Sequence, residues 1–318
     1  MNDTLRSITS TLNPITVSTD STFIRVKLWA VDSTSCFADS IEQTLFTSRS
    51  PIAAIGNPLD SNCGPFLDTF NNISQFATSY IWDFGNGNTS NMANPSETFV
   101  ASLTQDTNYN IVLRSINWMG CEDTALATRK VYPLPTTQFN ASVTSGCGPL
   151  NVVFTNNSTP NDTGSIQIMA FNWDFGDGNS STSTQVNHNF SADLLRDTIY
   201  RVLLTGNSEH GCVNEDSVEI TVYPNPTVAF SLSDSQGCAP LAVSFTNQST
   251  PNDTGSIQIM TFNWDLGDGS SSSLQNPVNS YIASLTQDSI YTIKLIGTSE
   301  HNCRDSAVDT IRIFPKPT

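Results

Sequence analysis

The chain has few basic side chains, few histidines and no long apolar run. Lys and Arg number 13 against 29 Asp and Glu, so the net charge is −16. That charge argues against nucleic acid, whose phosphates would be repelled, and against anionic membrane surfaces. No segment approaches the ~20 apolar residues of a membrane span, so membrane insertion is not expected.

The sequence repeats itself with a period of 91 residues. The period separates Trp82, Trp173 and Trp264 from one another, and it also separates Cys121, Cys212 and Cys303. Such self-similarity is the signature of an array of like domains. We therefore predict a partial repeat over 1–50, containing only the rear part, and repeats over 51–133, 134–224 and 225–318. The last of these ends in a linker.

Within one repeat, apolar and polar residues alternate, as in a half-buried strand. The alternation over residues 170–175 places Phe171, Trp173 and Phe175 on one face. An Asp-Gly pair follows at 177–178, which is typical of a hairpin turn with positive φ at both central positions. No segment sustains a 3.6-residue period. The sequence predicts an all-β chain of tandem β-sandwiches with the three tryptophans in their cores.

Each full repeat holds a front and a rear cysteine, and the first repeat lacks a seven-residue insertion that the other two have between them. Paired cysteines at a regular offset in an acidic, β-rich chain indicate one disulfide per domain. We predict the bonds Cys63–Cys121, Cys147–Cys212 and Cys238–Cys303, and we expect Cys36 to be unpaired in this chain. Buried free thiols are the alternative. Zinc is less expected, because the chain has no CxxC pair.

Residues before 50 resemble only the rear part of a repeat, and the end of the chain matches the linkers between repeats. We expect both ends to be cut from a longer array, whose leader would lie upstream. The rival interpretation is a whole subunit whose half-domain is completed by strands of a neighbour.

The segment WDFGDG at 173–178, with its variants WDFGNG at 82–87 and WDLGDG at 264–269, resembles the signature of PKD domains. The resemblance covers residues 51–318 and implies tandem Ig-like sandwiches. It also implies a large secreted surface protein of the Bacteroidota type, either an adhesin or a filament. Asn86 departs from the signature, since the other repeats have Asp there.

The resemblance raises calcium as a candidate ligand, because some PKD domains bind it. The oxygen donors would be Asp174 and Asp177, with Asp265 and Asp268 in the next repeat. The competing interpretation gives the same carboxylates to backbone amides of the turn. No other cofactor is expected.

One loop is identical in two repeats, since residues 158–169 match 249–260 letter for letter. Recent duplication explains the identity, and a loop that contacts a partner is the alternative. The candidate contact residues are Ile166, Ile168, Met169, Ile257, Ile259 and Met260.

Trp29 and Trp118 lie outside the repeated core pattern, so each is interpreted either as local packing or as an exposed anchor.

No nucleophile, phosphate-loop or metal-hydrolase motif is present, and His210 and His301 fall in equivalent loops. We predict a non-enzymatic segment of an extracellular bacterial stalk, adhesin or filament, acting in cell-surface or cell-cell attachment. Its expected partners are like chains and a surface protein or glycan at a tip. The alternative is a set of accessory PKD modules of a secreted protease or polysaccharide hydrolase.

Overall fold

A computed structural model describes residues 22–31, 38–56, 61–161, 169–252 and 260–316. All regular secondary structure in these ranges is β, and the prediction of an all-β fold of Ig-like sandwiches is confirmed. None of the described residues belongs to a helix long and apolar enough to cross a bilayer. The chain divides into two compact units, Met1–Pro133 and Leu134–Thr318.

The first unit contains eleven described strands: β1 Thr22–Val31, β2 Ala38–Thr47, β3 Ile55–Gly56, β4 Ser61–Cys63, β5 Phe66–Thr69, β6 Asn71–Asn72, β7 Ser79–Asp83, β8 Thr89–Ser90, β9 Ser96–Phe99, β10 Thr107–Ile116 and β11 Glu122–Tyr132.

The second unit contains two further repeats, called repeat 2 (134–224) and repeat 3 (225–318); the full repeat before them (51–133) is repeat 1. The strands of repeat 2 are β12 Phe139–Ala141, β13 Ser145–Cys147, β14 Leu150–Asn156, β15 Met169–Asp174, β16 Ser180–Ser181, β17 Val186–Phe190, β18 Thr198–Ser208 and β19 Val213–Tyr223. The strands of repeat 3 are β20 Phe230–Leu232, β21 Gln236–Cys238, β22 Leu241–Asn247, β23 Met260–Asp265, β24 Ser271–Ser272, β25 Val278–Tyr281, β26 Ser289–Ser299 and β27 Arg304–Phe314.

Repeat 2 is a sandwich of a three-stranded and a five-stranded sheet. The small sheet has the order β12-β14-β17 and the large one the order β13-β19-β18-β15-β16. Most neighbours are antiparallel, but β13 pairs in parallel with the final residues of β19. Repeat 3 has the same two orders, with β20-β22-β25 and β21-β27-β26-β23-β24. The short front strand therefore always lies beside the end of the last strand.

The core of each sandwich is built around its tryptophan. Trp82, Trp173 and Trp264 are completely buried. The indole N–H of each donates to a backbone carbonyl ten residues later, at 2.9–3.0 Å. A buried indole keeps its full apolar contact only when this donor is satisfied. The two tryptophans of the second unit belong to separate clusters, so repeats 2 and 3 each have a core of their own.

A tyrosine on the long hairpin secures the loop before it in every repeat. The hydroxyls of Tyr109, Tyr200 and Tyr291 each donate to the carbonyl nine residues upstream, at 2.6 Å. This is the bonding pattern of the tyrosine corner in Ig-like sandwiches.

The hairpin β1–β2 forms a two-stranded sheet by itself. Its counterparts in repeat 1, β10 and β11, belong to a five-stranded sheet with the order β4-β11-β10-β7-β8. On β2 the side chains of Ile41, Leu45 and Phe46 are exposed.

Candidate functional site

The cysteines do not pair within their repeats. Cys147 is bonded to Cys303, which joins the front of repeat 2 to the rear of repeat 3. Cys121 and Cys238 are free and exposed, whereas Cys63 and Cys212 are disulfide-bonded. The predicted bonds Cys63–Cys121, Cys147–Cys212 and Cys238–Cys303 are therefore wrong. Cys36 lies outside the described residues.

Strand geometry explains why a bond within a repeat cannot form. Cys147 lies opposite Tyr223, the last residue of β19, whereas Cys212 lies just before the first residue of that strand. The strand has 11 residues, so at ~3.3 Å per residue the two cysteines are about 35 Å apart. A disulfide needs Cα atoms within about 7 Å. The same register holds for Cys63 with Tyr132 and for Cys238 with Phe314.

The rear cysteine is held in the loop that closes the long hairpin. In repeat 3 the Ser299 amide donates to the Cys303 carbonyl at 2.9 Å, and the Ser299 hydroxyl accepts from the Cys303 amide at 3.2 Å. Asn302 adopts a φ of 63°, a conformation that asparagine tolerates better than most residues. The equivalent amide-to-carbonyl bonds close the loops at Cys121 and Cys212. The rear cysteine therefore lies in a loop closed by the same backbone hydrogen bond in each of these repeats.

The joint between repeats 2 and 3 consists of more than the disulfide. The Cα atoms of Cys147 and Cys303 are 5.5 Å apart. Beside them the imidazole of His301 lies flat on the ring of Tyr223, with centroids 3.7 Å apart and planes 4° from parallel. The Glu300 carboxylate approaches the same imidazole at 3.6 Å. An aromatic stack next to a covalent bond gives the joint a defined orientation.

The surface that receives this loop is built by repeat 2 and the linker that follows it. The Gly148 amide donates to the Tyr223 carbonyl at 2.9 Å, which extends the parallel pairing of β13. The Asn225 side chain, in the linker, donates to the Gly148 carbonyl at 2.6 Å. These bonds fix the front cysteine beside the tyrosine ring before any partner is considered.

The turn formed by the WDFGDG signature, the signature turn, holds a second group of polar side chains. In repeat 2 the Phe175 amide donates to the Asn179 carbonyl, which closes a loop of Gly176, Asp177 and Gly178. Both glycines have positive φ, 75° and 89°, but Asp177 does not, so the expected two-residue turn is instead a three-residue loop. A Cβ at position 176 would lie 2.7 Å from the Arg201 carbonyl oxygen, which requires glycine there.

The aspartates proposed for calcium all hold the turn together. Asp174 accepts from the Gly176 amide at 2.9 Å, and Asp265 accepts from Gly267 at 3.0 Å. Asp177 accepts from the Asn179 amide at 3.0 Å and from His188 Nε2 at 2.7 Å. Asp268 bonds to Ser270 and Asn279 in the same way. No group of three or more His, Cys, Asp or Glu suited to a metal occurs among the described residues. Calcium binding therefore stays a prediction.

The carboxylate of Asp177 titrates below the ordinary range. Partial burial by itself raises its pKa, but the hydrogen bonds from His188 and Asn179 outweigh that effect and hold the pKa below its usual 3.8. The pKa of Asp268 is lowered for the same reason, with burial opposed by bonds from Ser270 and Asn279. The imidazole of His188 also stacks on the ring of Phe175, with centroids 4.0 Å apart, so His188 packs against a core residue of repeat 2.

The candidate contact loop lies largely outside the described residues, which include neither Ile166 and Ile168 nor Ile257 and Ile259. Met169 and Met260 begin strands β15 and β23, pair with the long hairpin and are half-buried. Met260 packs against the core of repeat 3. The side chain of Trp29 is not described, whereas Trp118 is 56% exposed and contacts Phe46 edge to face.

The model of the PKD domain matches residues 132–222 and 224–314, more than half of the chain. No curated protein matches. Among solved structures, the PKD1 domain of Vibrio anguillarum Epp is 26% identical, with 30% of this chain and 99% of that one covered and a TM-score of 0.24. The PKD1 domain of the Vibrio cholerae metalloprotease PrtV is also 26% identical, covering 28% and 96%, with a TM-score of 0.23. Titin domains I67–I69 are 12% identical, covering 83% and 98%, with a TM-score of 0.41. The chain belongs to the PKD domain family.

Proposed function

We propose that the chain is a non-enzymatic structural segment of a long extracellular stalk, adhesin or filament on a bacterial surface of the Bacteroidota type. Its partners are like chains, together with a surface protein or glycan at a tip. Repeat units begin at residues 51, 134 and 225, after the partial repeat over 1–50. The segment transmits force and sets spacing, and attachment takes place elsewhere along the array.

The single observation that carries this proposal is the disulfide between neighbouring repeats. A bond inside each domain would protect that domain and leave the linker to carry tension. The Cys147–Cys303 bond instead spans 156 residues and links two successive domains covalently. In the chain-entropy model a loop of this length stabilises the folded state by about 5 kcal/mol. Such a bond suits a part that must resist extension.

The linker supports the same role. Pro224 and Pro226 flank Asn225 in the linker, and both prolines are buried. Proline keeps a linker extended and limits its bending. The excess of acidic groups over basic ones keeps a long array soluble.

The test is extension of single molecules held at the two ends of the chain. The molecule used is the Cys63→Ser, Cys212→Ser variant, which keeps the Cys147–Cys303 bond. Under oxidising conditions we expect this variant, fully unfolded, to be about 50 nm shorter than after addition of a reductant. This is the length of the 156 residues that the Cys147–Cys303 bond withholds from the load, at ~3.3–3.6 Å per residue. Equal lengths under both conditions would contradict the proposed mechanical role.

The matched control replaces Cys63, Cys147, Cys212 and Cys303 by serine. Its extension should not respond to the reductant. A response that persisted would show that other cysteines hold the length, and the assignment to this joint would fail.

Sideways association with like chains is the further part of the proposal. Leu103, Leu194 and Leu285 occupy equivalent loop positions, and each is between 81% and 88% exposed. An apolar side chain that recurs at the array period suits contact between parallel arrays. Sedimentation over a range of concentrations tests this. We expect weak self-association that the triple change of these leucines to serine reduces, and a chain that stays monomeric throughout would refute it.

A further inference from the structure

The joint has two halves, and repeats 2 and 3 each contain both. One half, the socket, is the front cysteine with the aromatic residue that ends the last strand. In repeat 2 the socket is Cys147 with Tyr223. The other half, the plug, is the rear loop, which in repeat 3 runs from Glu300 to Cys303. The socket of repeat 2 holds the plug of repeat 3.

Repeat 3 has a socket with the same construction. Strand β21 pairs in parallel with the end of β27, and Cys238 lies opposite Phe314. The Ala239 amide donates to the Phe314 carbonyl at 3.0 Å, as Gly148 does to Tyr223 at 2.9 Å. Phe314 is half-buried, and the Arg312 guanidinium lies 5.5 Å from its ring centroid. The second socket is thus built by hydrogen bonds within repeat 3 and needs no partner to form.

The two sockets differ in what occupies them. Cys147 is half-buried and bonded, whereas Cys238 is exposed and free. The linker prolines differ in the same sense, since Pro224 is buried and its counterpart Pro315 is half-buried. The greater burial thus accompanies the presence of the plug of repeat 3 at the socket of repeat 2.

We propose that the socket of repeat 3 is a docking surface for the rear loop of a further PKD repeat, sealed by a disulfide to Cys238. The occupant is a loop with the pattern His-x-Cys, as at His301 and Cys303, whose imidazole would lie on the Phe314 ring. Oxidised glutathione suffices as the oxidant. The two thiols lose two protons and two electrons, one S–S bond forms, and the disulfide of glutathione is reduced to two thiols.

The proposal rests on the geometry of the joint and not on the mechanical role. It implies a rule that the front cysteine of one repeat pairs with the rear cysteine of the next.

The test extends the full chain by one repeat. Residues 228–318 are appended directly after Thr318, which preserves the 91-residue period, and the added copy carries Ile296→Val as a mass label. After oxidation with glutathione, the unreduced protein is alkylated, cleaved between its cysteines and analysed by mass spectrometry. We expect Cys238 to be bonded to the labelled rear cysteine and to lose the alkylation that it shows in the original chain.

Three results would overturn the proposal. These are full alkylation of Cys238 in the extended chain, a bond between the two cysteines of the added repeat, and covalent dimers joined through two Cys238 residues. The extended chain with Cys238→Ser is the matched control, and its labelled rear cysteine should become free. If hydrogen exchange shows that the added copy is unfolded, the extension is made from residues 137–227, and the same outcomes decide.

Discussion

Repeats 1 and 2 solve the same packing problem in two ways. In repeat 1 the side chains of Asp68 and Arg129 are almost fully buried and joined by a hydrogen bond of 2.5 Å from Arg129 Nε. The equivalent positions in repeat 2 are Val152 and Ile220, both completely buried. One fold therefore accepts a charged pair or an apolar pair at the same place between its sheets.

The difference teaches what the sandwich requires there. A buried carboxylate or guanidinium alone is costly, but a well-bonded pair offsets the loss of hydration. The Arg129 guanidinium also lies 5.2 Å from the centre of the Phe70 ring, which adds a cation–π contact. This buried position therefore accepts either two oppositely charged residues that bond to each other or two apolar residues.

A second pair varies in the same way at the signature turn. In repeat 2 the turn carboxylate of Asp177 bonds to His188. In repeat 1 the turn residue is Asn86, and the carboxylate lies across from it on Glu97, at 2.8 Å. The charge has changed sides while the hydrogen bond is kept.

The largest effect is expected from breaking the buried pair in repeat 1. Asp68→Ala leaves a buried guanidinium without its partner and should lower the free energy of unfolding of repeat 1 by about 3–5 kcal/mol. Hydrogen exchange of peptides from β10 and β11 measures this locally. Peptides from β18 and β19 of repeat 2 are the internal control and should not change. A loss below 1 kcal/mol would show that water reaches the pair.

A smaller effect is expected when the pair is converted to that of repeat 2. Asp68→Val with Arg129→Ile should leave repeat 1 as stable as before or stabilise it by about 1–4 kcal/mol. The same exchange measurement applies. A double variant as unstable as Asp68→Ala would mean that repeat 1 needs the charges themselves, and the equivalence of the two cores would fail.

The turn pair should show a weaker dependence. Asn86→Asp places a carboxylate against Glu97 and should destabilise repeat 1 by about 1 kcal/mol. Adding Glu97→Asn reproduces the pair of repeat 3 and should restore stability. Salt should reduce the effect of the single change, because exposed charges are screened. Denaturant titration at two salt concentrations tests this, and equal stability of the single and double variants would contradict it.

The smallest effect is expected on the stability of repeat 2 at acid pH. The pKa of Asp177 is lower in the folded state than its ordinary value of 3.8. The stability that its carboxylate contributes to the fold is therefore fully present above pH 3.8 and is lost as the pH falls through the lower pKa of the folded state. Asp177→Asn should flatten the fall in stability of repeat 2 below about pH 4. Asp268→Asn is the matched control and should act on repeat 3 only. An unchanged acid profile of repeat 2 would refute the linkage.

Much of this fold follows from local pattern. The alternation around Trp173 predicts a strand with the indole inside, and the 91-residue period predicts that Trp82 and Trp264 do the same. The turn glycines follow from backbone sterics. The buried pair of Asp68 and Arg129 could not be predicted. The two residues are 61 positions apart in the sequence, and aspartate and arginine are residue types that are usually exposed.

The sequence by itself determined a repeating β-sandwich with a front and a rear cysteine in each full repeat. It could not determine their partners, because a constant period is equally compatible with pairing inside a repeat and pairing with the next. The tertiary structure decided between them. Parallel pairing of the short front strand with the end of the last strand separates the two cysteines of a repeat by the length of an 11-residue strand. Within the part of the chain that the structure describes, the loop of the following repeat then brings Cys303 within bonding distance of Cys147.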